Sequence, residues 1–255
     1  AQVERVLAEP VGSAVRCVVS AADLMALRTA GLAALAAREL VARGAVTAAV
    51  LGTGPPARWH LTTLARCVPA ISHITVCSTG CGSGPLAGPG IQDWLELSGI
   101  GLTTAASVAD ALFGATLIVV TGEEASQLRS SHLVRGAVLV NAADRPMPAD
   151  VLAGVDQIYV DDADLLPEHT HRGLTLSDRP RRPAHLDGRR TVSATLRQVL
   201  ASEHRGRDPF DDIVLVELLG AGRLDDLACA VADRLATTGP AATLSRRPVN
   251  ALPSR

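Results

Sequence analysis

The chain contains no lysine: every basic side chain among its 255 residues is Arg or His. That excludes a lysine general base, a Schiff-base lysine and a phosphate-loop lysine. Aromatic residues make up only 2%, too few for a platform on which nucleic-acid bases would stack. The formal charge of −2 leaves no basic excess for a phosphate backbone. No apolar run reaches membrane-span length and no signal peptide is visible. The chain begins at Ala1 rather than Met, so a trimmed or processed start is expected. Cysteine is scarce as well. Cys17, Cys67, Cys77, Cys81 and Cys229 are odd in number and lack framework spacing, which points to reduced thiols in a cytoplasm. Cys77 and Cys81 have no second Cys/His pair at zinc spacing and read as two unrelated thiols.

What is present is apolar surface. Hydrophobic residues reach 47% against 20% charged, enough for a sizeable core in one large domain or two small ones. A weak helical signal over 1–20 is followed by a strand over 14–19. An alanine- and leucine-rich helix is predicted over 24–41, carrying Arg28. The stretch 45–51 is apolar throughout, as expected of a parallel strand buried on both faces. It runs into Gly52-Thr53-Gly54-Pro55-Pro56-Ala57 and then a helix to about Cys67.

Gly52, Gly54 and Ala57 occupy the small positions of G-x-G-x-x-G/A. Gly52 permits the tight turn, Gly54 lets a pyrophosphate approach the backbone, and Ala57 lets the helix pack closely on the strand. The helix N-terminus then faces the phosphates. Pro55 and Pro56 suit a first helical turn, where a missing N–H breaks no helix bond. The next strand, 73–76, ends in Cys77-Ser78-Thr79 where a NAD site usually carries an acid for the ribose. Neutral Ser78 and Thr79 do not repel a 2′-phosphate, so the reading leans to NADP over NAD. Further strands are expected over 115–121, 138–141, 158–160 and 213–218, with helices over 92–98, 107–112, 195–202 and 224–237. The alternation predicts an α/β, Rossmann-like doubly wound, mainly parallel sheet. In such sheets ligands bind outside the carboxyl ends of the strands, which makes Asn141, Asp144, Asp161 and Asp162 candidates by position. Asp161 and Asp162 read as turn or cap residues. His169 and His171 could offer metal ligands, but no third ligand is evident, so no metal site is assigned and the pair reads as a solvated loop. Residues 172–192 read as a connecting segment. Gly220-Ala221-Gly222 reads as a turn near a cofactor.

Several stretches together resemble the ornithine cyclodeaminase/mu-crystallin family: Leu27-Arg28-Thr29-Ala30, the glycine turn, Ile118-Val119-Val120-Thr121, Val140-Asn141-Ala142-Ala143-Asp144-Arg145-Pro146 and Val160-Asp161-Asp162. The resemblance covers about 14–235. It implies a nicotinamide-dependent enzyme working at the C–N bond of a small-molecule imine or amino acid, with a homodimer as the family's usual assembly. By the same resemblance Arg28 anchors a substrate carboxylate and Asp144 is the acid/base. Thr53, Thr121, Asn141 and Gly220 would lie at the cofactor. The resemblance divides the chain into 1–27, a remnant of a substrate and dimerisation domain, 28–165, a nucleotide-binding core, 166–212, a connecting segment with a helix, and 213–255, the last strand, helix and tail. Departures from the family pattern are the short segment before Arg28, a shorter stretch around Ala143, and Pro148 where the family often has a lysine. Arg16, Arg58 and Arg145 are candidates to replace the missing basic contact. A deaminating cyclase and a non-catalytic cofactor-binding protein are the alternative readings.

Overall fold

A computed structural model describes residues 5–8, 17–77, 89–176, 185–186 and 189–220. The chain forms two units. One spans Met25–Gly222; the other includes an antiparallel hairpin of β1 (Arg5–Ala8) and β2 (Cys17–Ser20). The larger unit takes in the long helix α1 (Ala21–Leu40) from Met25 onward, which leads to β3 (Val46–Leu51), α2 (Gly54–Cys67), β4 (Ile71–Cys77), α3 (Pro89–Leu97), β5 (Gly101–Ala105) and α4 (Val108–Leu112). Then come β6 (Leu117–Val120), β7 (Val138–Asn141), α5 (Ala149–Gly154) and β8 (Gln157–Val160). Three short strands, β9 (Leu174–Thr175), β10 (His185–Leu186) and β11 (Arg189–Thr191), make a separate sheet. The main sheet is completed by β12 (Ala194–Thr195) and β13 (Val214–Glu217), with α6 (Leu196–Leu200) between them.

The eight-stranded sheet runs β12-β8-β13-β7-β6-β3-β4-β5, and all its neighbours pair in parallel. Its central strands β6, β7, β8 and β13 are buried at every position, which is why they read as mostly apolar runs, with a polar residue only at one end of β7, β8 and β13. Side chains alternate across it. Val50, Val119, Val140 and Val216 belong to a core with Ala33, Ala37, Leu61 and Leu64 of α1 and α2. Leu51, Ile118, Leu139 and Leu215 belong to a second core with Val108, Leu112 and Val151 of α4 and α5. A sheet covered on both faces leaves one open edge for chemistry: the carboxyl ends of its strands. From β3 the chain moves outward to β4 and β5, then returns to β6 on the other side of β3. The crevice between β3 and β6 is thus the topological switch point.

Within the described residues the strands and helices predicted from apolar patterning are found, with ends shifted by a few residues. Two expectations change. The weak helix over 1–20 gives way to the β1–β2 hairpin, because pairing between distant residues such as Arg5 and Ser20 overrides a weak local preference. The segment 172–192 contains β9 and β11, which pair side by side. These ladders are too short to leave a period in the sequence. The expected helix over 224–237 and the Ser78-Thr79 turn lie outside the described residues.

Helix α2 carries one group whose protonation matters to the fold. His60 is buried, and its Nδ1 lies 2.9 Å from the Pro56 carbonyl oxygen one turn earlier. Burial pushes the imidazole pKa below its ordinary value, while backbone contacts with Pro56 and Thr29 pull the other way. The neutral ring belongs to the folded state, and the unfolded chain takes up the proton first. The associated stability is present above the unfolded value of about 6.5 and is lost as pH falls toward the folded value. Thermal melts at pH about 7.5 and about 5.5 should therefore show a larger acid-side loss for the wild type than for His60→Leu. Equal losses would mean that His60 is not the group responsible.

Candidate functional site

The glycine turn sits at the switch point. Gly52 has φ +140, and a Cβ there would overlap Thr121 Oγ1 and come within 3.1 Å of the Gly122 amide nitrogen. The close approach of β3 to the residues after β6 is what requires glycine at that position. Thr121 donates its hydroxyl to the Leu51 carbonyl at 3.1 Å, tying the two strand ends together. Gly54 differs: it has φ +72, yet a Cβ there would meet nothing within 4 Å. The space over the turn is open, and Thr53, Gly54, Pro55 and Pro56 are all exposed at the start of α2. Ala57 is buried against the sheet. Thr53 is the N-cap residue but its side chain makes no capping bond. Pro55 and Pro56 have no N–H, so anion binding here would rest on the Thr53 and Gly54 amides, the Thr53 hydroxyl and the helix dipole. The open cradle fits a dinucleotide pyrophosphate.

The remaining candidates lie along the same edge of the sheet. Arg28 of α1 donates to Asp161, just beyond β8, at 3.5 Å. Asp161 is more than a turn residue. Its Oδ1 accepts from the Leu219 amide at 2.8 Å and from the Asp162 amide at 3.0 Å, while Oδ2 faces Arg28. Asp162 keeps the expected capping task and accepts from the Asp164 amide. Gly220, with φ +82, follows Leu219 and so stands beside this group.

Beneath the edge is a buried ion pair that sequence reasoning missed. Arg172 Nη1 donates to Glu217 Oε2 at 2.7 Å, with side chains 1% and 0% exposed. Burial pushes the Glu217 carboxyl up to about 7, against the pull of the Arg172 charge and of the Asn141 hydrogen bond. The only sequence signal is Glu217 itself, a lone acid closing the apolar run of β13. Arg172 gives none. The same guanidinium holds the Asp144 turn from both sides, donating to the Ala143 carbonyl at 2.9 Å and the Arg145 carbonyl at 2.7 Å. Asn141, expected at the cofactor, is fully buried. Its amide donates to the Arg145 carbonyl and to Glu217, and its Oδ1 accepts from the Ala143 amide. Its side chain thus shapes the Asp144 turn. Asp144 itself is 91% exposed, with Oδ1 3.6 Å from Arg172 Nη2.

The structure also brings Asp144 to His169 and His171, so that one ligand atom of each lies within 4.8 Å of the other two. The fold thus places a third potential ligand, which the sequence did not reveal, beside the two imidazoles. Of the candidate replacements for a lysine, Arg145 pairs with Glu123, Arg58 is exposed on α2, and Arg16 lies outside the described residues. Cys77 is buried and its thiol pKa is raised by burial, which makes it a poor nucleophile; Cys81 lies outside the described residues.

A doubly wound parallel sheet with a glycine turn at its switch point defines a Rossmann-type protein. The sequence profile of the ornithine cyclodeaminase/mu-crystallin family matches residues 2–236, and the chain belongs to that family. No curated protein sequence matches it. Solved structures similar to it include that of CmnK, at 22% identity and TM-score 0.68, covering 92% of this chain and 70% of that one. The Δ1-pyrroline-2-carboxylate reductase of Thermococcus litoralis, in complex with NADH and L-proline, matches at 15% identity and TM-score 0.64 over 89% of this chain and 70% of that one. An archaeal alanine dehydrogenase dimer with bound NAD matches at 19% identity and TM-score 0.63 over 89% and 69%. At these identities the likeness establishes the fold. Among the described residues no helix is long and apolar enough to cross a membrane.

Two measurements probe this arrangement. Gly54→Ala should cost only about 1 kcal/mol of stability, the strain of a positive φ in open space, yet weaken dinucleotide binding. Unchanged binding in calorimetric titration would show that the turn does not face the pyrophosphate. Arg172→Met should cost about 3–5 kcal/mol in urea unfolding, because it strands the buried Glu217. The double variant Arg172→Met/Glu217→Leu should lose much less. A double loss equal to the sum of the single losses would show that the two charges do not depend on each other.

Proposed function

We propose that the protein is an NAD(P)-dependent oxidoreductase acting on the C–N bond of an imine or amino acid. The observation that carries this reading is a pair of polar networks along the carboxyl edge of the sheet. One runs from Arg28 through Asp161 to the Leu219 amide, the other from Glu217 through Arg172 and Asn141 to the Asp144 turn. The glycine turn opens onto the same edge. The fold neighbours support the reading by analogy, since their descriptions include a pyrroline-2-carboxylate reductase with NADH and an alanine dehydrogenase with NAD. Bound nicotinamide supplies the hydride or accepts it. Arg28 binds the substrate carboxylate through its planar fork, held in orientation by Asp161. Asp144 delivers a proton to the substrate nitrogen or withdraws one. Gly52, Gly54 and the start of α2 hold the pyrophosphate, and Thr121 and Gly220 border the cofactor. Ser78 and Thr79, being neutral, lean the choice toward NADP.

Fluorescence titration with NADPH and, separately, NADH tests the cofactor reading; binding of neither would remove it. Asp144→Asn should lower kcat about 100-fold or more on cyclic imines and amino acids while leaving cofactor affinity unchanged. Arg28→Met should act mainly on the KM of carboxylate-bearing substrates. Undiminished turnover in Asp144→Asn on every accepted substrate would exclude the acid/base assignment. Ammonia release with no net change in nicotinamide absorbance would redirect the reading to a deaminating cyclase.

A further inference from the structure

The side chains of Asp144, His169 and His171 meet although they come from two separate loops, and one ligand atom of each lies within 4.8 Å of the others. Several features suggest more than chance proximity. His169 and His171 flank Thr170 in a single 3-10 turn (Thr170–Arg172) closed by Gly173 at φ +67. The Arg172 amide donates to the His169 carbonyl at 2.9 Å, which fixes the start of the turn. The Arg172 side chain reaches back and clamps the carbonyls of Ala143 and Arg145 on either side of Asp144. One buried arginine thus holds both ligand-bearing loops in register. The two imidazoles lie 5.6 Å apart, inclined at 54°, so they converge without stacking. His169 Nδ1 is buried and has no hydrogen-bond partner among the described residues. A buried ring nitrogen without a partner is costly unless something occupies its lone pair or takes its proton. Glu217 offsets the charge of Arg172, which would otherwise oppose a cation nearby.

We infer that Asp144, His169 and His171 form a binding site for a divalent transition cation of the Zn2+ class. Two imidazoles and one carboxylate are borderline nitrogen and oxygen donors, suited to Zn2+, Co2+ or Ni2+ rather than to Ca2+ or Mg2+. Three protein ligands leave at least one coordination position open to water or to a substrate group. The small adjustment needed to bring the donors to bonding distance falls on Asp144 and His171, both exposed. The site has a functional consequence that rests on the reading of Asp144 given above. A carboxylate oxygen bound to a cation cannot also exchange a proton with the substrate, so metal and proton compete for Asp144.

The test uses the full chain without a polyhistidine tag, stripped of metal by chelator and dialysed. Co2+ should produce a visible ligand-field absorption band, and calorimetry with Zn2+ should report one ion per chain at this site. His169→Ala and His171→Ala should each weaken Zn2+ binding by about 100-fold, and the double variant should abolish the Co2+ band. Thermal melts of the metal-free variants check that they fold. Asp144→Asn should lower the affinity while leaving His169 and His171 in place. An unchanged Zn2+ isotherm in the folded double variant, or no Co2+ band in the wild type, would overturn the assignment. Neither readout depends on turnover or on a nicotinamide cofactor, so failure of the oxidoreductase reading would leave this result standing, and the reverse.

Discussion

The pair Arg172–Glu217 is the interaction on which the site depends. Two full charges taken out of water are costly, and their attraction offsets that cost only when hydrogen bonds satisfy the rest of both groups. Here the guanidinium also has two backbone carbonyls, and the carboxylate has the amide of Asn141. The consequence is geometric. β13 and β7 are neighbours in the sheet, and the pair fastens the turn after β7 to the end of β13 and to the loop after β8. Asp144 is exposed, yet the backbone on both sides of it is held from below. An exposed acid on a fixed turn has its position set before any ligand arrives.

The fold was legible because its signals are local. Each central strand is a short, mostly apolar run that stands out against the turn residues and more polar segments around it. The glycine turn was legible from its own spacing, and the structure adds the steric demand behind Gly52: the close approach of Thr121 from the end of β6. Residues 1–20 misled because a weak helical preference loses to strand pairing formed across the chain. The candidate site was legible only in part. Asp144 was a candidate by its place beyond a strand's carboxyl end, whereas Arg28, and the acid/base role expected of Asp144, came through resemblance alone, since an arginine inside a helix carries no message of its own. Arg172 and Glu217 are 45 positions apart, and the sequence does not tell a buried arginine from a solvated one. His169 and His171 read as a solvated loop, because Asp144 comes near them only through the fold.

The absence of lysine gains a structural meaning from the arginines that are buried. Arg172 caps the carbonyls of Ala143 and Arg145, and Arg190 donates to those of Ala153 and Val155. Arg207 donates to the carbonyls of Leu40, Phe210 and Asp212. These carbonyls belong to turns and to helix ends: Leu40 closes α1 and Ala153 lies in the last turn of α5, where carbonyl oxygens have no helical partner. A guanidinium serves such places well: its planar fork reaches several acceptors at once, and it is weakly hydrated for a cation. Burial pulls the pKa of Arg190 and Arg207 downward, yet a group that starts so high stays protonated. An ammonium is a strongly hydrated point charge and would more readily shed its proton in the same surroundings. The buried arginines are therefore structural cations first. Of the three, Arg172 lies where a structural cation also borders the carboxyl edge of the sheet, and there the same guanidinium that closes a loop holds the turn that carries Asp144.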